Sequence, residues 1–124
     1  MQVVSLNAYL DKRRLTRSKE EFDQSVRELA YVVTALKYDV GCMLDAGAEK
    51  MFAVDENGQE IQSDRLLTLM TKFVVLANPD VKTIAVPISA TGEIDLLARH
   101  HGLSVVKTRD SHLALMEAAS SKKA

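Results

Sequence analysis

Apolar residues along this chain follow two periods, and the switch between them marks out its elements. Phe22, Val26, Leu29, Val33 and Leu36 recur at steps of three and four, which places them on one helical face. Glu20, Asp23, Gln24, Arg27 and Glu28 occupy much of the other face. The pattern predicts a helix over Ser18 to Leu36, opened by Ser18 with Glu21 at capping-box spacing. From Val40 the period shortens. Val40 to Leu44 reads as a strand entering a loop at Asp45, and Lys50 to Asp55 as the returning strand, Met51 and Ala53 alternating against Phe52 and Val54. Glu56-Asn57-Gly58 is a turn, and Gln59 to Ile61 extend briefly. A second helix is predicted over Ser63 to Leu76, with Ser63 as cap and Asp64 in the first turn. Leu66, Leu67, Met70, Phe73, Val74 and Ala77 form its broad apolar stripe, and Asn78-Pro79-Asp80 stops it.

The second half alternates strand and helix. Val81 to Ile88 is a near-continuous apolar run, which suits a parallel strand covered on both faces, with Pro87 at its end or on an edge. Ser89-Ala90-Thr91-Gly92 is a crossover loop. Glu93 to His101 reads as a helix with Ile94, Leu97 and Ala98 apolar and Gly102 as its stop. Leu103 to Thr108 is a strand, Arg109-Asp110-Ser111 a loop, and Ser111 to about Ala119 a last helix with Leu113, Leu115, Met116 and Ala119 apolar. The expected class is α/β, with layered helices on a mixed, partly parallel sheet. Val3 to Leu10 suits either a strand or a short helix, and Ser120 to Ala124 reads as a frayed end.

Composition narrows the picture. The 124 residues are 47% hydrophobic, enough for one core and marginal for two. Cys42 is the only cysteine. It cannot form an internal bridge, and it reads as a small buried apolar residue in a strand. That usage fits a cytoplasmic setting. Sixteen basic and 17 acidic residues leave a net charge of -1, so no nucleic-acid partner is expected. The local basic run Lys12-Arg13-Arg14, with Arg17 and Lys19, reads as a solvated approach to the first helix, with phosphate binding as the alternative. No apolar stretch is long enough to span a membrane, and Met1-Gln2-Val3-Val4 does not open like a signal peptide. The abrupt start also suits a segment cut from a longer protein.

Four segments, in order, resemble the middle of a phosphohexomutase such as phosphomannomutase or phosphoglucomutase. The first is Val40-Gly41-Cys42-Met43-Leu44-Asp45-Ala46-Gly47-Ala48-Glu49-Lys50, similar to the family's metal loop. The second is Val54-Asp55-Glu56-Asn57-Gly58, which comes directly after it. The third is Ile61-Gln62-Ser63-Asp64-Arg65-Leu66-Leu67, similar to the first helix of the next domain. The fourth runs from Val86-Pro87-Ile88-Ser89-Ala90-Thr91 to Gly102-Leu103-Ser104-Val105-Val106-Lys107-Thr108 and resembles that domain's strand-helix-strand unit. The resemblance implies a partial domain II over 1–58 and a partial domain III over 59–124, or the two as one compact unit. The N-terminal part, Ser5 to Asp11 with the long helix, looks most like proteins in which such a region is fused behind a sugar-phosphate nucleotidyltransferase. Those are the mannose-1-phosphate guanylyltransferases of GDP-mannose biosynthesis.

The resemblance also exposes departures. In the family's metal loop alternating Asp side chains are followed by Arg; here the positions read Asp45, Gly47, Glu49 and Lys50. Magnesium wants hard oxygen ligands in near-octahedral geometry. Asp45 and Glu49 with backbone carbonyls and water are a degenerate set for it, and a surface turn capped by Asp45 is the plainer reading. Lys50 keeps the positive charge of Arg without its bidentate fork, and is placed to pair with Asp45 or Glu49. The phosphoserine loop, the later sugar-recognition loop and the phosphate-binding domain of the family are not in this sequence. The expectation is a non-catalytic structural or regulatory module of a mannose-1-phosphate guanylyltransferase, without its own cofactor, Mg²⁺ belonging to the parent. Its partner would be the nucleotidyltransferase domain of the same parent chain, with a homo-oligomer also open. One alternative is a fragment of an active phosphomannomutase or phosphoglucomutase. Another is a sugar-phosphate-binding domain using Ser89, Thr91 and Arg109, with Arg99 and Lys107 as further charge, at the C-terminal end of a parallel strand and the start of a helix. His100 and His101, adjacent near a helix end, point apart and make a poor metal pair. His112 reads as a solvent-exposed residue opening the last helix. Cys42 has no histidine partner that spacing can suggest for nucleophilic catalysis.

Overall fold

The computed structural model describes residues 1–7 and 18–121. The basic run Lys12-Arg13-Arg14 with Arg17, and Lys122 to Ala124 of the tail, lie outside these residues, as do Ala8 to Leu10. Val3 to Asn7 is neither strand nor helix. The chain divides into two compact units, Met1–Ile61 and Gln62–Ala124. The short extension after the turn therefore belongs to the first unit and not to the second.

The first unit is a helix on a three-stranded antiparallel sheet. Helix α1, Lys19–Leu36, begins where the capping box predicts: the Ser18 hydroxyl accepts from the Glu21 amide, and the Glu21 carboxylate accepts from the Ser18 amide. It ends at Lys37, held in the left-handed region (φ 54°), while the Tyr38 amide reaches back to the Val33 carbonyl at 2.9 Å. Strands β1 (Val40–Leu44), β2 (Met51–Asp55) and β3 (Glu60–Ile61) lie in that order across the sheet. The β2–β3 turn closes because Gly58 takes a positive φ and the Asp55 carboxylate accepts from the amides of Asn57 and Gln59. Helix α1 packs on β1 and β2, and the register sets Gly41 beside Val54 and Met43 beside Phe52 on the helix-facing side. The Phe22 and Phe52 rings meet edge to face at 4.7 Å. Gly41 is where the helix comes nearest: a methyl there would stand 2.6 Å from Val33 Cγ2 and 2.9 Å from both Leu29 Cδ1 and Val54 Cγ2.

Cys42 corrects the sequence reading. It is exposed, not buried, because α1 covers one face of the hairpin and strand alternation turns Cys42 to the other. Val40 and Leu44 are also more than half exposed.

The second unit is a parallel strand pair with helices. Helix α2 (Ser63–Ala77), β4 (Thr83–Pro87), α3 (Glu93–His100), β5 (Ser104–Thr108) and α4 (His112–Ser120) come in that order. Strands β4 and β5 pair in parallel from Thr83 beside Ser104 to Pro87 beside Thr108. Pro87 thus closes the strand, where its missing N–H costs nothing to the ladder. Helix α3 packs on β5, α4 on both strands and α2 on α3. The protein is therefore mixed α/β, its parallel strands forming one sheet and its antiparallel strands another. Helix α3 stops as predicted at Gly102, φ 67°. The Leu103 amide bonds the Ala98 carbonyl and the Gly102 amide the Arg99 carbonyl, a Schellman closure. Ile94, Ala98, Val86 and Val75 form the core.

Four expectations fail here. Ser63 is the first helical residue, and the cap position is Gln62, which makes no side-chain cap bond. The run Val81 to Ile88 shortens to the five residues Thr83–Pro87, of which Val86 is buried and the others half-buried. Ser120 is not frayed, its hydroxyl bonding the Met116 carbonyl within α4. The apolar stripe of α2 does not enter the core. Leu67, Met70, Phe73 and Val74 are exposed, while Val75 is buried and Thr68 and Thr71 half-buried.

Gly41→Ala should destabilise the first unit by about 1–3 kcal/mol, because Val33 is β-branched and cannot swing clear of the added methyl. The check is a fall in urea midpoint with native helix content unchanged.

Candidate functional site

Two loops carry the residues singled out by the sequence, one in each unit. The first joins β1 to β2. It is closed by the Asp45 amide donating to the Lys50 carbonyl at 3.0 Å and by the Ala48 amide donating to the Asp45 carbonyl at 3.0 Å. Ala48 sits at φ 53°, a conformation an alanine accepts only when neighbours over-determine it. The Asp45 side chain supplies that determination. Its Oδ1 accepts from the Glu49 amide at 2.8 Å and from the Lys50 amide at 3.1 Å. These bonds hold the carboxyl below the usual carboxylate range: the Lys50 amide contributes most, desolvation opposes it, and the Glu49 amide and the Lys50 charge add to the lowering.

The loop ties Asp45 to Glu49 through the Glu49 amide. Gly47 offers no side chain, yet a methyl there would rest 3.5 Å from Glu49 Cγ, an ordinary contact. Backbone crowding therefore does not demand glycine at this position. Lys50 forms no ion pair with either carboxylate; among the described residues the ion pair joins Lys107 to Asp95, at 3.1 Å. Among the described residues no three His, Cys, Asp or Glu side chains gather as a metal set.

The second loop lies after β4. Ser89, Ala90, Thr91 and Gly92 lead into α3, as the crossover reading requires. Ser89 is already engaged: its hydroxyl donates to Asp110 Oδ1 at 2.7 Å and its amide points to the same oxygen at 3.4 Å. Thr91 Oγ1 accepts from the Glu93 amide at 3.4 Å, a helix-start contact. Arg109 is exposed beside Asp110. Of the further cations, one is paired at the first turn of α3 and the other lies at its far end. Lys107 is paired with Asp95, and Arg99 lies in the last turn of α3. Glu93 and Asp95 occupy the first turn and already serve the positive end of the helix. Nearby, an open depression lined by Asp64, Arg65, Thr68, Lys72 and Glu93 mixes both signs of charge.

Asp110 is the residue that sequence reading passed over. Loops after adjacent parallel strands lie side by side, so an acid after β5 and a hydroxyl after β4 were a pair the topology could have suggested. The histidines correct another expectation. His100 and His101 do not point apart; their rings meet edge to face at 5.0 Å, because His101 has left the helix as its C-cap. His112 opens α4 and is exposed, as the sequence suggested.

Comparison with known proteins gives these loops a context. No protein-family model matches the chain. A probable phosphoglucosamine mutase of Methanosphaera stadtmanae is 34% identical over 116 residues, which is 92% of this chain and 24% of that protein. A phosphoglucomutase/phosphomannomutase of Thermococcus kodakarensis is 28% identical over 94% of this chain and 25% of its own length. Among solved structures, a phosphoglucomutase/phosphomannomutase family protein from Burkholderia thailandensis superposes with a TM-score of 0.59 at 22% identity, over 77% of this chain and 20% of its own. Homologues of this chain are thus members of the phosphoglucosamine mutase, phosphoglucomutase and phosphomannomutase family, and they cover most of it. The chain spans about a quarter of the length of these curated relatives.

The lowered Asp45 pKa has a sign that can be tested. A depressed carboxyl stabilises the closed loop at pH above the ordinary aspartate range, and that contribution fades as pH falls through the folded-state value. In an NMR titration, the Asp45 carboxyl carbon should titrate below the usual aspartate range, and the Glu49 and Lys50 amide shifts should track it. Asp45→Asn should flatten both amide profiles.

Proposed function

We propose that this chain acts as a non-catalytic, phosphohexomutase-like module of a larger sugar-phosphate enzyme, its units standing as partial counterparts of the family's domains II and III. The observation that carries this reading is Asp45 Oδ1, which accepts from the amides of its own loop at 2.8 and 3.1 Å. With Gly47 contributing no side chain, the loop offers two carboxylates, Asp45 and Glu49, a sparse donor set for a resident magnesium ion, which asks for several hard oxygens around one point. Exposure supports the same reading. Among the described residues no polar or charged side chain is buried, whereas acid–base and metal chemistry draw on groups held in a dry, shaped site.

The second loop favours structure over substrate. Glu93 and Asp95 lie in the first turn of α3 and Asp110 is bonded to Ser89, and this acidic surrounding makes a sugar-phosphate contact by Ser89, Thr91 and Arg109 the weaker alternative. An active mutase fragment is weaker still, since it needs a metal site for which this loop offers two carboxylates. The finer proposal is that the larger protein is a mannose-1-phosphate guanylyltransferase, with this module packed on the nucleotidyltransferase domain of the same chain in the cytoplasm. Among the described residues no helix is long and apolar enough to cross a membrane.

Calorimetric titration of Mg²⁺, then mannose 1-phosphate and glucose 1-phosphate, into the chain should give no saturable heat at millimolar ligand. Saturable binding lost in Asp45→Ala would overturn the non-catalytic reading. For the finer proposal, the full-length protein carrying this segment should convert GTP and mannose 1-phosphate to GDP-mannose and pyrophosphate. Interconversion of mannose 1-phosphate and mannose 6-phosphate instead would assign it to the mutases.

A further inference from the structure

An asparagine can be lost from a protein without an enzyme, and the residue after it decides how readily. The backbone nitrogen of that residue attacks the asparagine side-chain carbonyl, so a side chain on it hinders the approach and a missing N–H forbids it. Of the three asparagines, Asn78 precedes Pro79, which has no N–H to lose, and Asn7 precedes Ala8. Asn57 precedes Gly58, the least hindered nucleophile a chain offers. Asn57 is also exposed, in the turn between β2 and β3.

The turn holds that nucleophile back. The Gly58 amide donates to the Asp55 carbonyl at 2.9 Å, and attack needs this same N–H to lose its proton. The Asp55 carboxylate ties down the amides on either side, those of Asn57 and Gln59, both at 2.9 Å. Helix α1 stands behind the turn: a methyl at Gly58 would lie 3.1 Å from Thr34 Cγ2 and 3.3 Å from the Ala30 carbonyl oxygen. Gly58 therefore reacts when the turn opens, a local event that amide hydrogen exchange also reports.

We propose that Asn57 is a site of spontaneous deamidation, gated by opening of the β2–β3 turn. In the open turn hydroxide takes the Gly58 amide proton, the nitrogen forms a bond to Asn57 Cγ, and the Cγ–Nδ2 bond breaks. Ammonia leaves with a proton drawn from water, which restores the hydroxide. Water then opens the succinimide ring at either carbonyl, leaving aspartate or isoaspartate at this position. Either product adds a negative charge beside Asp55, Glu56 and Glu60. Isoaspartate also lengthens the main chain by a methylene, so the Asp55 bonds no longer fit and β3 loses its register against β2.

Peptide mass spectrometry of the chain aged at mildly alkaline pH should show deamidation at Asn57, with isoaspartate the larger product, while Asn78 stays intact and Asn7 lags. The chain unfolded in guanidinium chloride should lose Asn57 at least about tenfold faster than the folded chain. Asp55→Ala should speed Asn57 loss and Gly58 amide hydrogen exchange in the folded chain by the same several-fold factor. Should that variant unfold, sub-denaturing guanidinium on the unchanged chain tests the same coupling, the two rates rising in parallel. No loss of Asn57 from the folded chain long after the unfolded chain has fully deamidated would overturn the site. Equal loss from folded and unfolded chain would overturn the gate, as would loss that rises without Gly58 exchange.

Discussion

The first unit depends on how near α1 can come to β1, and Gly41 sets that distance. Val33, Leu29 and Val54 fill the space a side chain would need, so the helix rests directly on the hairpin backbone. Burying that face fixes the register of β1 against β2, because a one-residue slip would turn Phe52 and Val54 away from α1. With the register fixed, the loop at the hairpin's end has a fixed number of residues to close. The Asp45 carboxylate closes it by bonding the amides at its far side. The geometry of the loop is thus a consequence of the packing below it: Asp45 Oδ1 is engaged as a structural acceptor for two amides of its own loop.

The second unit uses an acid similarly. Asp110 ties the loop after β5 to the loop after β4 through Ser89, at the end of the parallel strands where open α/β sheets usually take their ligands. Both places where resemblance points to chemistry thus hold an aspartate hydrogen-bonded within the protein. The relatives retain the scaffold, and this chain spans about a quarter of their length.

Much of this was legible in the sequence, for local reasons. The capping box at Ser18 and Glu21, the turn at Asn57-Gly58 and the stop at Gly102 are signals complete within a few residues, and each operates as read. The alternation of Val40 to Leu44 and Met51 to Asp55 marked the hairpin. Errors arose where the outcome depended on partners distant in sequence. Alternation says that Cys42 and Gly41 face opposite ways, but not which face α1 will cover. Periodicity identifies the stripe of α2, but whether α3 packs on that stripe or on Thr68, Thr71 and Val75 is decided by tertiary competition. The occupied state of Asp45 was partly visible, as a capped turn. Ser89's engagement was not, because its partner lies 21 positions away.

The central claim, that Asp45 serves its own loop rather than an ion, is met most directly by adding Mn²⁺ to the isotopically labelled chain. Paramagnetic broadening of each amide signal would then be monitored as the ion is raised to millimolar. If the account holds, the Glu49 and Lys50 amides broaden no more than those of other exposed acidic stretches, such as Glu20-Glu21. Selective loss of the Glu49 and Lys50 signals at micromolar Mn²⁺, reversed by excess Mg²⁺ and absent in Asp45→Ala, would contradict it.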